Sequence, residues 1–173
     1  MPPIKRHRVS EWIKKQNPSI CCPQETHFRH EDISRFKVRV WKTIYHANGH
    51  QKKAGVAILI SDQLHFKPKT VIRDEEGHYI ILKGSVQQEY LTILNIYAPN
   101  MGAVNYIKQL IAKSKKHINN NNTTIVGDFN TPLTEMDRSS EQKTNKEIKA
   151  LNDTLDQMDI TDIFRTVNPK ITE

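Results

Sequence analysis

The sequence predicts one α/β domain in which sheets are covered by outer helices, on three observations. Apolar, strand-like runs dominate the middle of the chain, and helical periodicity marks its ends and longer connections. The composition, 36% hydrophobic and 26% charged over 173 residues, is that of an ordinary globular domain and excludes a disordered chain. No internal repeat interrupts this pattern, and the asparagine run Asn119 to Asn122 is expected to be a surface loop.

Taken in order, Val9, Trp12 and Ile13 recur at helical spacing with Arg8, Lys14 and Lys15 off that face, and Asn17-Pro18 stops the pattern. Ser19 to Cys22 is short and apolar, as a buried strand would be. Pro23 supplies no ladder donor, so the strand should end or bulge there. Further strands are expected at Val38 to Tyr45, Gly55 to Ile60, His78 to Val86 and Tyr90 to Ala98. Asn48-Gly49, Pro68 and Glu76-Gly77 read as turns between them. Val104 to His117 reads as a helix and Thr123 to Val126 as a buried strand. A last helix carries Ile148, Leu151, Leu155 and Met158 on one face.

Lys and Arg number 26 against 19 acidic residues, a formal net charge of +7. That balance favours a polyanionic partner such as nucleic acid, although scattered basic residues also suit a merely basic soluble protein. Cys21 and Cys22 are the only cysteines, so neither a disulfide framework nor a zinc site is available, and a reducing compartment fits. The basic N-terminal stretch is not followed by a secretory apolar segment, and no run approaches membrane-spanning length. The expectation is an intracellular protein, nuclear or cytoplasmic, with no membrane partner.

Apolar strands repeatedly end in polar groups: Cys22 leads to Glu25, Ile96 to Tyr97 and Asn100, and Val126 to Asp128 and Asn130. Strand ends in α/β proteins converge on one crevice, which would bring two carboxylates, a phenol and amides together. Oxygen ligands of this kind suit a hard divalent cation such as magnesium and disfavour zinc. The competing reading is a set of ordinary turn residues.

Cys21-Cys22-Pro23-Gln24-Glu25-Thr26-His27, Gly55 to Ile60, Ile96-Tyr97-Ala98-Pro99-Asn100 and Gly127-Asp128-Phe129-Asn130-Thr131-Pro132-Leu133 form an ordered set of blocks, extended by Lys52-Lys53-Ala54 and Met136-Asp137-Arg138-Ser139. In order and spacing this set resembles the endonuclease domain of LINE-type non-LTR retrotransposons, within the endonuclease/exonuclease/phosphatase superfamily. The resemblance implies a DNase I-like, two-sheet sandwich with outer helices, acting on DNA with magnesium, or manganese in its place. It implies that Glu25 binds the metal with Asp128, that Asp128 also positions or activates the attacking water, that Asn130 orients Asp128 and contacts the phosphate, and that Tyr97 hydrogen-bonds the phosphate. His27, Asn100, Thr131 and Arg138 would line the DNA surface. A reverse-transcriptase segment would accompany the domain in a full-length relative.

The resemblance also carries features without a match here. The family's first strand bears an active-site asparagine, and its last strands bear an aspartate and a Ser-Asp-His motif. This chain reads as a single domain over 1–173 that begins after the former and ends before the latter, with Ser61-Asp62 followed by Gln63 instead of histidine. Losing those groups should remove charge stabilisation and water activation, so little or no nicking is expected. The competing functional classes are a non-catalytic nucleic-acid-binding remnant and, less in keeping with the blocks, a small-substrate phosphatase of the same superfamily.

Overall fold

The computed structural model describes residues 3–26, 28, 41, 43–49, 54–118, 122–133 and 146–167. The elements are α1 (Pro3–Gln16), β1 (Ile20–Cys21), β2 (Thr43–Asn48), β3 (Gly55–Ile60), a 3-10 turn (Asp62–Leu64), β4 (Lys67–Arg73), β5 (Tyr79–Val86), β6 (Glu89–Tyr97), α2 (Ala103–Ile118), β7 (Thr123–Asp128), α3 (Lys146–Asp156) and α4 (Ile163–Val167). They group into two compact units. One holds Met1–Tyr97 and Lys116–Asp128, the other Ala98–Lys115 and Phe129–Glu173.

The run Gly55 to Ile60 has no polar residue, which only a strand covered on both faces tolerates, and all six residues of β3 are buried. β3 is the centre of a three-stranded sheet ordered β1-β3-β2, antiparallel on both sides. Its alternation serves two cores. Ala57 and Leu59 pack with Ile13 of α1, Phe28 and Trp41, so α1 covers one face of this sheet. Val56, Ile58 and Ile60 pack with Ile80, Leu82 and Ile93 of the second sheet, forming the sandwich interior. Emptying either core is costly: truncating a fully buried side chain such as Trp41 to alanine should destabilise by about 3–5 kcal/mol.

The second sheet has four strands in the order β4-β5-β6-β7. β4, β5 and β6 are antiparallel, whereas β7 runs parallel to β6, a geometry that needs a long crossover. α2 is that crossover, and Val104, Ile107, Leu110, Ile111 and Ile118 on it are buried. Within the first unit, then, two sheets pack face to face with a helix on an outer face, which is the predicted fold class.

Several element boundaries differ from the sequence expectation. α1 turns Ile13 fully inward but leaves Trp12 52% exposed, because adjacent residues on a helix point about 100° apart and the core takes only Val9 and Ile13. Asn17, at φ 45°, ends the helix with its N–H on the Ile13 carbonyl at 2.8 Å. Pro68 lies inside β4, a strand missed in the sequence because Lys67 to Thr70 are exposed and show no apolar alternation. β4 is an edge strand with a register shift between Pro68 and Thr70, where a residue without an N–H is tolerated. β2 runs past Tyr45 to Asn48, while Val38 to Val40 lie outside the described residues. In α3 Ile148 and Leu151 are buried as expected, Leu155 is half-buried, and Met158 falls beyond the helix. The short α4 carries no signal that the sequence reading used.

Candidate active site

β6 and β7 end together: Tyr97 is the register partner of Asp128, and both are the last residues of their strands. The phenol of Tyr97 donates to Oε1 of Glu25 at 3.0 Å. Tyr97 is half-buried, while Glu25 and Asp128 are exposed. Burial first, then the hydrogen bond to Glu25 and the negative charges of Glu25 and Asp128, push the Tyr97 hydroxyl above its ordinary value of 10.0. It is therefore a neutral donor across the neutral range, with two carboxylates close enough to act on it.

Glu25 reaches this position because an irregular segment follows β1 along β3. Ala57 donates to the carbonyl of Pro23 at 3.0 Å, Gln24 bridges Val56, and Thr26 donates to the carbonyl of Gly55 at 3.1 Å. The strand ends at Cys21, as Pro23 predicts, yet the proline still contributes an acceptor to the ladder. Asn95, fully buried in β6, secures the segment from the other sheet. Its Nδ2 donates to the carbonyls of Ala57 at 2.8 Å and Pro23 at 3.3 Å, and its Oδ1 accepts from Gln24 Nε2 at 2.8 Å. A further constraint sits at Glu25 itself, whose φ of 52° is uncommon for a residue with a side chain.

Tyr97 is held from behind by His78. The Tyr97 N–H donates to the His78 carbonyl at 2.7 Å, the rings stack with centroids 6.3 Å apart, and His78 Nδ1 lies 2.7 Å from the Tyr97 carbonyl. A carbonyl only accepts, so Nδ1 carries the proton. The His78 N–H in turn donates to Asp74 Oδ2 at 2.9 Å. Asp128 owes its place to Gly127, whose φ is 136° and whose backbone lies against Ile96 of β6, with no room for a Cβ.

Of the residues assigned from sequence, Glu25, Tyr97 and Asp128 are brought to one edge of the first unit. Asn130, Asn100 and Thr131 belong to the second unit. Asn130, at φ 48°, donates from Nδ2 to the Ala98 carbonyl at 2.6 Å. Asn100 is exposed and Thr131 half-buried, whereas His27, Arg138, Lys52 and Lys53 lie outside the described residues. Ser61-Asp62 is a structural turn: Ser61 caps the 3-10 turn, its Oγ accepting from the Gln63 N–H at 3.4 Å, beyond the far end of β3.

Gln24, Asn95 and His78 as positioning residues were missed. For Asn95 the signal was present, since an amide in the middle of Leu91 to Ile96 must find buried partners. For His78 it was not, because the contact exists only once β5 pairs with β6.

Two carboxylates and a phenol, all hard oxygen groups, suit a hard divalent cation whose shell is completed by water and phosphate. Among the described residues no group of three or more His, Cys, Asp or Glu is placed to hold a metal ion. No helix among them is long and apolar enough to cross a membrane.

Residues 2–169 match the profile of the Endonuclease/Exonuclease/phosphatase family. An AP endonuclease from Archaeoglobus fulgidus superposes with a TM-score of 0.73 at 19% identity, covering 96% of this chain and 70% of that one. AP endonuclease LMAP from Leishmania major gives 0.73 at 13% identity, covering 96% and 66%. TDP2 from Caenorhabditis elegans gives 0.59 at 20% identity, covering 75% of this chain and 42% of that one. The chain spans about half the length of the TDP2 structures it matches, with coverages of 42%, 56% and 43%. At these identities the likeness speaks to the fold.

Proposed function

The chain belongs to the Endonuclease/Exonuclease/phosphatase family, and on that premise we propose that it forms part of a magnesium-dependent DNA-nicking site of the LINE retrotransposon type. The observation that carries the reading is the hydrogen bond from Tyr97 to Glu25 beside Asp128, two acidic groups around one neutral donor at paired strand ends. In this reading Glu25 and Asp128 hold the cation, with manganese able to replace magnesium. When bound, the cation polarises the scissile phosphodiester and neutralises charge on the leaving oxygen.

The chain's own residues do the rest. Tyr97, kept protonated by its surroundings, turns its hydroxyl from Glu25 to a phosphate oxygen once the carboxylate is engaged elsewhere. Asp128 orients the water that attacks phosphorus as the P–O bond breaks, and Asn130 steadies Asp128 and the phosphate. His78 and Asn95 position Tyr97 and Glu25. His27, Asn100, Thr131 and Arg138 line the DNA path. The formal net charge of +7 suits a DNA partner.

The second reading is a nucleic-acid-binding protein without cleavage, which the same net charge of +7 also suits. Incubation with supercoiled plasmid and magnesium, run beside a manganese-binding titration, tests the proposal. Manganese binding lost in Glu25→Gln, with any relaxation metal-dependent and lost in Glu25→Ala, supports it. Manganese binding unchanged by Glu25→Gln, or relaxation that persists in chelator, overturns it.

A further inference from the structure

The other end of the four-stranded sheet carries a surface that the nuclease reading leaves unused. Tyr90 lies near the start of β6 and Tyr97 at its end, seven residues and so about 23 Å away along the strand. Tyr90 is 61% exposed, unusual for a large aromatic residue on a sheet, and Lys69 stands over its ring with Nζ 5.5 Å from the centroid. Strand pairing explains the company it keeps. Ile80, Leu82, Leu91 and Ile93 point into the sandwich, so their neighbours Lys83 and Tyr90 point to the opposite, outer face. Tyr90 pairs with Ser85, which pairs with Lys67, giving a row of lysine, hydroxyl and phenol across three strands.

The end of α2 adds to this face. Burial first, then Lys116 and Lys83, push His117 below its ordinary value, so Lys83 of β5 and Lys116 of the helix lie near the same imidazole. Glu89 next to Tyr90 alternates to the inner side with Leu91. The chemistry is cationic groups and an exposed π face.

We propose that this outer sheet end, made by Lys67, Lys69, Lys83, Tyr90, Lys116 and His117, is a second nucleic-acid contact that holds a single strand, with a base stacked on Tyr90 and phosphates on the lysines. Base stacking on aromatic residues flanked by cations is how sheet surfaces take single strands without reading sequence. The surface stands whether or not Glu25 and Asp128 bind metal. Its place at the far end of β6 would let the protein retain one strand while the other end engages a duplex.

Fluorescence anisotropy with a labelled oligothymidylate, in chelator so that no metal chemistry contributes, tests it. The Lys83→Ala/Lys116→Ala pair should bind about tenfold more weakly, with the log–log salt slope reduced by about 1.4 for two lost phosphate contacts. Tyr90→Ala should weaken binding about tenfold while Tyr90→Phe stays near the wild-type value, since the ring stacks without its hydroxyl. Lys14→Ala, on α1 and outside both surfaces, should bind the oligonucleotide unchanged, which separates this surface from a general loss of positive charge. Affinity unchanged in the lysine pair, Tyr90→Ala binding as well as wild type with matching thermal unfolding, or no binding of the oligonucleotide at all would each overturn the proposal.

Discussion

Replacing Gly127 with alanine probes how the site edge is built. Gly127 is the register partner of Ile96 in the parallel β6–β7 pair, and a Cβ there would run into the Ile96 carbonyl oxygen and lie 2.8 Å from its carbonyl carbon and amide nitrogen. Those are backbone atoms in the centre of a sheet, so no rotamer relieves the clash. A φ of 136° adds strain for any residue with a side chain. The strained backbone costs about 1–3 kcal/mol and the overpacking about 1–3 more. A loss of about 2–6 kcal/mol is a large part of the about 5–15 kcal/mol a domain has. Urea unfolding followed by circular dichroism should show the midpoint falling by about 1–3 M at a typical slope of about 2 kcal/mol per M. Because Asp128 is the next residue, manganese binding should weaken with it, even in molecules still folded. A midpoint shift below about 0.3 M would refute the close β6–β7 approach and the reason given for the glycine.

Other substitutions separate positioning from stability. Asn95→Ala should destabilise by about 1–3 kcal/mol in thermal unfolding, because Gln24 and two backbone carbonyls lose their buried partner, and should weaken manganese binding at Glu25. Tyr97→Phe should change stability by only about 0.5–1.5 kcal/mol but lower any metal-dependent cleavage much more, since the lost hydroxyl faces Glu25 and the site. Stability should fall as pH rises above about 9: burial pushes the Cys22 thiol from 9.0 to about 12, and Cys21, Tyr45 and Tyr97 are also raised. With raised folded values the native state holds more protons than the unfolded chain. Each group's contribution is full below its unfolded value and drains at up to about 1.4 kcal/mol per pH unit as pH climbs to the folded value. Urea midpoints that hold constant from pH 8 to 11 would contradict this.

How much was legible in the sequence follows from where physical constraints are local. β3 and the first half of β5, Tyr79 to Leu82, are continuous apolar runs, and a strand covered on both faces has no other way to look, so their positions and the α/β class could be read directly. β4 could not, because an exposed edge strand with a proline and three lysine or arginine residues is written for solvent and carries no apolar pattern. Trp12 misled because size and hydrophobicity do not say which side of a helix faces the core. At the site, Glu25, Tyr97 and Asp128 were marked by polar groups at the ends of apolar runs. Their supports Gln24, Asn95 and His78 act across strands far apart in sequence, and only the pairing of β5 with β6 and the packing of the two sheets bring them into reach.

The proposed function requires that Glu25 and Asp128 share one divalent cation beside Tyr97. Manganese titration by electron paramagnetic resonance, on the wild-type chain and on Glu25→Gln and Asp128→Asn separately, tests it most directly. One site is expected in the wild type, weakened at least about tenfold in each variant, with competition by magnesium. Equal manganese binding in all three proteins, or a site lost in one variant and untouched in the other, would contradict it.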